Sequence, residues 1–389
     1  MQHKLFTPVQ IGPLLLRNRS IRAAAFEGMC QNHAVSPELI AYHEAVAAGG
    51  IGMTTVAYVS VTRDGLSFPH QLWMHDAIIP SLKKLTDAVH RHNAAASIQL
   101  GHCGNMAKRS VTRTRPVAPS ARINWYAPSF PHALKKEEIF ALVKSFGAAV
   151  KMAQQAGFDA VEVHAGHGYL ISQFLSPYTN RRNDEFGGSL TNRMRFLQLV
   201  LDEVMHAAAG KTAVLVKMNM RDGFDGGLER EGALQVALLM ERMGIHALVL
   251  SGGFVSRAPM YILRGAMPVQ TLAQHVDSRL MRWLVRRFGH WLIREVPFSP
   301  TYFLDEALIF RKELKMPLVY VGGILSGEHI EQVLSEGFDA VAMARVLIHD
   351  PDFIHKLLRQ SLSHSACDTC NYCIAVMYNG PFSCIQHKT

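Results

Sequence analysis

The chain reads as an α/β protein, a single (β/α)8 barrel, on three observations. Short apolar runs alternate with stretches of helical period along its 389 residues, the pattern of parallel strands joined by crossover helices. Eight such runs are present, which suits a closed barrel better than an open sheet. Three junctions, AGFDAVEV, MGIHALVL and EGFDAVAM, share one logic: a helix ends at Gly157, Gly244 or Gly337, where left-handed backbone costs glycine little, and a buried strand follows at once.

The expected strands are Ser20–Ala25, Ile51–Tyr58, Ala95–Leu100, Ala160–His164, Ala213–Met218, Ala247–Ser251, Leu318–Gly322 and Ala340–Ala344. Expected helices are Leu82–Arg91, Lys135–Ala156, Arg193–Ala208, Glu231–Met243 and Gly327–Glu336. Residues 1–360 form the barrel. About 264–316 is too long to be a simple connection between strands six and seven and reads as a helical insertion. Its centre, RLMRWLVRRFGHWLIREV, is basic and amphipathic, with Met281, Leu284, Phe288, Trp291 and Leu292 near helical spacing. Such a helix is expected to pack its apolar side on the barrel; a lid or a membrane-surface contact is the alternative. Residues 361–389 form a cysteine-containing tail.

Hydrophobic residues make up 49% and charged residues 18% of the chain, which suits a protein with a sizeable core. No apolar run is long enough to span a membrane. The start, MQHKLFTPVQIG, lacks the apolar stretch of a signal peptide, so the expectation is a cytoplasmic protein. The net charge of +9 is spread along the chain, densest over residues 108–115 and 279–294. That favours an anionic small molecule over a dedicated nucleic-acid surface. Six cysteines are present and four crowd the last 23 residues, unlike a secreted disulfide scaffold.

Barrel enzymes carry their chemistry at the C-terminal ends of the strands. Strand four ends VEVHAGHGYL. His164 closes the strand, and His167 and Tyr169 open the loop. Neutral imidazoles donate hydrogen bonds to a carbonyl oxygen, and a phenol delivers a proton. Any one of these could be structural; three within six residues at a barrel mouth point to function.

The segment AGFDAVEVHAGHGYLISQFLSPYTNRRNDEFGGSLTNRMRF resembles the signature of the old yellow enzyme family of FMN-dependent oxidoreductases. The likeness continues through LFTPVQIGPLLLRNRSIRAAA, DAVHRHNAAASIQLGHCGN and DAVAMARVLIHDPD, the last also similar to the barrel half of 2,4-dienoyl-CoA reductases. The resemblance implies FMN as cofactor and NADH or NADPH as electron donor. It makes His164 and His167 the pair that binds the activating oxygen of the substrate, and Tyr169 the proton donor. Gln99 would bond the flavin pyrimidine ring, and Lys217 would sit near its N1 and O2. A cation there stabilises negative charge on the reduced ring. Gly322, Gly323, Ala344 and Arg345 match the phosphate site, in keeping with loops seven and eight as the phosphate grip of barrels. Ala24 and Ala25 would contribute backbone beside the flavin, and Ala57 a small residue at its edge. Phe26 departs from the family, which often has cysteine or threonine there.

The tail reads C-x2-C-x2-C-x10-C, at Cys367, Cys370, Cys373 and Cys384. It resembles the cluster motif of dienoyl-CoA reductases with one residue missing before the third cysteine. The candidates are zinc or [4Fe–4S], with a metal-free or zinc-type structural tail weighed above a working cluster. The expected function is ene-reduction of electron-poor C=C bonds by a ping-pong cycle. The alternatives are an oxidative flavoenzyme, such as an amine dehydrogenase or demethylase, and a flavin barrel that reduces uridine in transfer RNA. The expected partners are an unsaturated carbonyl-type substrate and a nicotinamide dinucleotide, with neither nucleic acid nor membrane contact, and self-association into a homo-oligomer open.

Overall fold

Eight parallel strands close on themselves: β1 (Ser20–Arg22), β2 (Met53–Ser60), β3 (Ala95–Gly101), β4 (Ala160–Ala165), β5 (Ala213–Asn219), β6 (Ala247–Ser251), β7 (Leu318–Val321) and β8 (Ala340–Met343). Neighbours in sequence are neighbours in the barrel, and β8 pairs back onto β1 through Val341–Ser20, Ala342–Ile21 and Met343–Arg22. The computed structural model describes residues 4–124, 129–274, 276, 278–293, 295–377 and 380–387.

The helices that follow the strands are α1 (Pro37–Ala48), α2 (Ile79–His90), α3 (Lys136–Gln155), α4 (Leu190–Ala208) and α5 (Arg230–Arg242). Ser36 and Ser189 cap α1 and α4 by accepting from backbone N–H groups three residues on. The turns from α3 and α5 into the next strands use the expected glycines, with φ of +85° at Gly157 and +74° at Gly244.

Two strands differ from expectation by more than one residue at an end, each for a visible reason. Strand one ends at Arg22, not Ala25. The Ala23 N–H still reaches Met343 O, but the Arg22 guanidinium takes the Ala25 carbonyl and turns the chain out of the ladder. Strand two runs to Ser60 and carries a bulge between Val56 and Val59. A bulge re-aims the side chains beside it, which bears on Ala57 below.

The barrel interior is filled by modest side chains such as Ile21, Ala160, Leu215, Val249 and Val319. An antiparallel hairpin, Val9–Ile11 with Leu14–Leu16, closes the N-terminal end with Val9, Ile11 and Leu16. A larger core lies between strands and helices. These layers leave the C-terminal end of the barrel as the place for a site.

The insertion between β6 and β7 holds α6 (Pro259–Leu263), α7 (Val269–Gln274) and α8 (Arg279–Leu292). Its C-terminal bound falls earlier than expected. The helix α9 (Leu304–Glu313) is the ordinary barrel helix before β7, packed on α5 and β7. The next is α10 (Gly327–Ser335), which is followed by the third expected glycine, Gly337, whose φ of +91° starts the turn into β8. The tail carries α11 (Tyr372–Val376). Its Ile374 and Ala375 pack against Met260 and Met267 of the insertion. Asn371 donates to the carbonyls of Arg264 and Ala266, and the Phe382 N–H donates to Glu27 O. Tail and insertion therefore sit together over the barrel mouth. Among the described residues no helix is long and apolar enough to cross a membrane.

Candidate active site

All eight strands send residues to one cleft at the C-terminal end. Its wall includes Ala24, Ala25 and Phe26 after β1, Tyr58, Gln99, His164, Lys217, Ser251, Val321 after or within the following strands, and Ala344 and Arg345 after β8. Leu263 and Ile262 of the insertion and Ile374 and Met377 of the tail complete it. The cleft encloses about 1080 Å³ counted to its open mouth.

One end is built on the loop after β4. His164 is buried, its ring edge-on to those of His167 and Tyr169, with centroids 5.0 and 4.6 Å away. His167 has a φ of +59° and Gly168 one of +82°, a left-handed pair beside which the His167 and Tyr169 side chains both line the cleft. Neighbouring strands hold this backbone. The His167 N–H donates to Asn219 Oδ1 at 2.9 Å, and the Val255 N–H donates to His167 O. Asn219 is itself fixed by donating to Asp222. The His167 ring shares a hydrogen bond of 2.8 Å with Ser251 Oγ.

Burial holds both imidazoles in the neutral form. His164 lies well below the ordinary histidine value, through burial first and then the charges of His167 and Lys217. Burial, with Lys217 second, pushes His167 down to about 3. Neutral imidazoles bind an oxygen as hydrogen-bond donors without bringing a counter-charge. The Gly166 N–H points at His164 Nδ1 at 3.4 Å, which assigns the ring proton to Nε2. Tyr169 stands beside Tyr58, with centroids 4.8 Å apart. The Tyr58 hydroxyl meets Cys103 Sγ at 2.8 Å, and Ser67 donates to the same sulfur at 2.6 Å. Burial pushes the Cys103 thiol up to about 12, so it stays protonated.

The other end is charged. Lys217 Nζ pairs with Glu162 Oε1 at 2.9 Å, with both side chains buried. Gln99 Nε2 donates to the same carboxylate oxygen at 2.6 Å. Lys217 also reaches toward Ala24 O at 3.4 Å. An ammonium has three donors, so one remains for a ligand in the cleft. Glu162 and His164 lie two apart on β4 and so share its inner face.

These groups fit FMN. Gln99 and Lys217 put an amide and a cation on the cleft wall, the donor types that the polar edge of a flavin ring takes, and Arg345 lines the same cleft with a guanidinium of the kind that takes a phosphate. The structure thus brings together Ala24, Ala25, Gln99, His164, His167, Tyr169, Lys217, Ala344 and Arg345. It does not bring Ala57, Gly322 or Gly323 to the wall. The β2 bulge places Tyr58 in the cleft, while the Ala57 N–H turns away to Glu27 Oε1 at 3.1 Å. Gly322 and Gly323 lie behind Tyr302 and Phe303; a Cβ on Gly322 would stand 2.9 Å from the Phe303 ring. The strand-seven wall is Val321. Phe26 lines the cleft and stacks on Phe68 at 4.9 Å, filling with carbon the place of a thiol or hydroxyl.

Sequence reasoning missed Tyr58, Glu162, Asn219 and Ser251. Asn219 and Ser251 close β5 and β6, so the strand-end rule that found His164 could have found them. Glu162 was visible as a carboxylate inside a buried strand, which demands a partner.

Cys367, Cys370, Cys373 and Cys384 line one small cavity with Arg345 and His349. His349 Nδ1 lies 3.4 Å from Cys384 Sγ, and burial pushes the Cys373 thiol up to about 12. Among the described residues no three histidine, cysteine or acidic side chains stand close enough to hold a metal in this arrangement.

Comparison with known proteins agrees with the site. The chain is 40% identical over 379 residues to a 4,4'-dithiodibutanoate disulfide reductase of Rhodococcus erythropolis, covering 97% of this chain and 93% of that one. It is 29% identical over 356 residues to an NADPH dehydrogenase of Halalkalibacterium halodurans, covering 90% and 93%. A 2-naphthoyl-CoA reductase in complex with 2-naphthoyl-CoA superposes with a TM-score of 0.84 at 25% identity, over 99% of this chain. The present chain spans 57% of that longer protein. Residues 4–282 match the NADH:flavin oxidoreductase / NADH oxidase family. The family resemblance carried by the segment around His164, His167 and Tyr169 is therefore borne out, and the chain belongs to this family of FMN-dependent oxidoreductases.

Proposed function

We propose that the chain is an ene-reductase that oxidises NADH or NADPH and reduces an alkene conjugated to a carbonyl, the two substrates taking turns in one cleft. FMN, held by Gln99 and Lys217 at its ring and by Arg345 at its phosphate, supplies the hydride-accepting and hydride-donating ring. His164 and His167 donate hydrogen bonds to the carbonyl oxygen of the alkene substrate and draw electron density from its β-carbon, where the hydride arrives. Tyr169 then protonates the α-carbon. Lys217, anchored by Glu162, holds positive charge at the polar edge of the ring. The observation that carries this reading is the packing of Tyr169 against His164, 4.6 Å between centroids, which sets an acid beside an oxygen site in the same cleft. Mixing the enzyme with NADH or NADPH and cyclohexenone tests it, with Tyr169→Phe and His164→Ala alongside. Full activity in both variants would sink the residue roles. Flavin that neither nicotinamide reduces would favour the oxidative reading, and salt-dependent affinity for transfer RNA the nucleic-acid one.

A second acceptor class is favoured by the 40% identity to a disulfide reductase. Two electrons and two protons convert a disulfide to two thiols: hydride adds to one sulfur, the S–S bond breaks, and the leaving thiolate takes its proton from Tyr169. A dialkyl disulfide in the same assay gives the ratio of the two activities.

The tail acts in this reading as a clasp across the mouth, joining the loop after β1 to the insertion. Four thiols lining one cavity carry the donor atoms of a zinc or iron–sulfur site, but as they stand they are too far apart to hold one, so a metal would have to draw the tail inward. Iron and zinc analysis with an absorption spectrum of anaerobically purified protein tests it; neither metal at stoichiometric amount excludes both.

A further inference from the structure

The helix α8 departs from the sequence expectation. An amphipathic helix was to bury its apolar side on the barrel; this one leaves that side in solvent. Trp291 is 83% exposed, Leu280 67%, Trp283 57%, Met281 50% and Phe288 41%. What anchors the helix is a narrow edge. Gly289 is buried, and a Cβ there would stand 2.5 Å from Val269 of α7, so glycine permits a close crossing. Ser278 caps the first turn, accepting from the Met281 N–H, and Arg282 donates to Val276 O.

On a helical wheel the residues sort into two arcs. Leu280, Trp291, Leu284, Phe288 and Met281 share one side; Arg279, Arg282, Arg286 and His290 share the other, with Trp283 and Arg287 on the flank nearest Leu280. The helix contains four arginines and no acidic residue. Among the described residues none of those arginines is paired with a carboxylate. Arg294, the end of the basic run, lies outside the described residues, as does the side chain of Leu292.

We propose that α8 is a membrane-surface anchor that lies in the headgroup region of an anionic bilayer, with Trp291, Phe288 and Leu280 inserted and the arginines on lipid phosphates. Charge complementarity selects this occupant. A face that is apolar, carries tryptophans and is bordered by four arginines with no carboxylate partner among the described residues matches the interface of an anionic lipid layer. A second copy of the chain fits less well, because a two-fold contact sets the same patch against itself and brings the arginines of both helices together. The position has a consequence for the enzyme. The insertion that carries α8 supplies Ile262 and Leu263 to the cleft wall, so docking brings the mouth near the lipid and suits poorly water-soluble acceptors.

Vesicle sedimentation of the FMN-loaded enzyme decides the matter. With equal parts phosphatidylglycerol and phosphatidylcholine the protein is expected to pellet, with a blue shift of its tryptophan fluorescence; with phosphatidylcholine alone it stays in solution. Phe288→Ser with Trp291→Ser is expected to abolish pelleting. Each of Arg286→Gln and Arg287→Gln is expected to weaken it about five-fold, the loss of one cation at an anionic surface. Circular dichroism and turnover of a soluble enone, unchanged in these variants, show that the fold is intact. No pelleting on anionic vesicles overturns the proposal. So does pelleting that survives the loss of Phe288 and Trp291, or concentration-dependent dimerisation, without vesicle binding, that the same variants abolish.

Discussion

The two ends of the cleft both lie in the barrel mouth and treat charge in opposite ways. At the end built on β4, His164 and His167 are neutral because burial penalises their cations and no carboxylate faces them. A few ångströms along the same strand, Glu162 and Lys217 form an ion pair 2.9 Å long, with Gln99 donating to the carboxylate as well. Burial alone therefore does not decide ionisation here. Local partners do: a buried charge persists where an opposite charge and a further donor meet it, and disappears where they are lacking. The contrast suits the two roles proposed for these ends. An uncharged pair of donors can bind and release a neutral carbonyl, while a fixed cation favours electron density on a ring placed beside it.

Breaking the charged end is expected to have the largest effect. Lys217→Met strands Glu162 as an unpaired buried carboxylate, and removing one partner of such a pair costs about 3–5 kcal/mol. Urea unfolding should show that loss. Stopped-flow bleaching of the flavin by NADPH should slow by about 10²–10³-fold. Lys217→Arg should recover most of the stability.

At the neutral end, Tyr169→Phe is expected to slow the half-reaction with cyclohexenone by about 10²–10⁴-fold, the usual worth of a positioned acid. Flavin reduction by NADPH should be unchanged. Rapid-mixing measurement of the two half-reactions separates them, and slowing of both would break the division of labour between the two ends.

The pH dependence of stability sharpens the same contrast. His167 takes its proton at about 3 in the folded chain, against 6.5 for the ordinary group. Between those values the unfolded chain holds more protons, so stability is present above about 6.5 and is lost as pH falls toward 3. Thermal unfolding between pH 7 and 5 should show a shallower decline in His167→Asn than in the parent (the pH range follows from the ordinary histidine value, about 6.5). Identical slopes would mean that this imidazole is not held neutral.

The smallest effect is expected from Ser251→Ala. It removes one hydrogen bond to His167, worth about 0.5–1.5 kcal/mol. The KM for the enone should rise a few-fold with little change in kcat, because the ring stays in place through its backbone bonds to Asn219 and Val255.

Much of this was legible in the chain itself. Eight apolar runs and the glycine junctions at 157, 244 and 337 specify the alternation of strands and helices, since burial on both faces and cheap left-handed caps are local requirements. His164, His167 and Tyr169 were legible because one strand and its loop carry them all. Gln99 and Lys217 were legible only through the family resemblance, and the structure joins them through Glu162, a residue that no local pattern marks as their partner. Tyr58 was not legible as the β2 residue on the cleft wall, beside the expected Ala57, because a bulge depends on how β2 pairs with β3 and not on the sequence of β2 alone. That Gly322 and Gly323 lie against Tyr302 and Phe303 was not legible, because those rings arrive from the segment before α9.

The sequence by itself determined the barrel, the family and the grouping of His164, His167 and Tyr169 in the strand-four loop, because periodicity, caps and a contiguous motif are written in neighbouring residues. Only the tertiary structure decided which cation meets which carboxylate, that the four cysteines share one cavity, and that the apolar side of α8 faces outward. Each of these depends on how distant segments pack, and packing is settled by the shapes of partners that no single stretch contains.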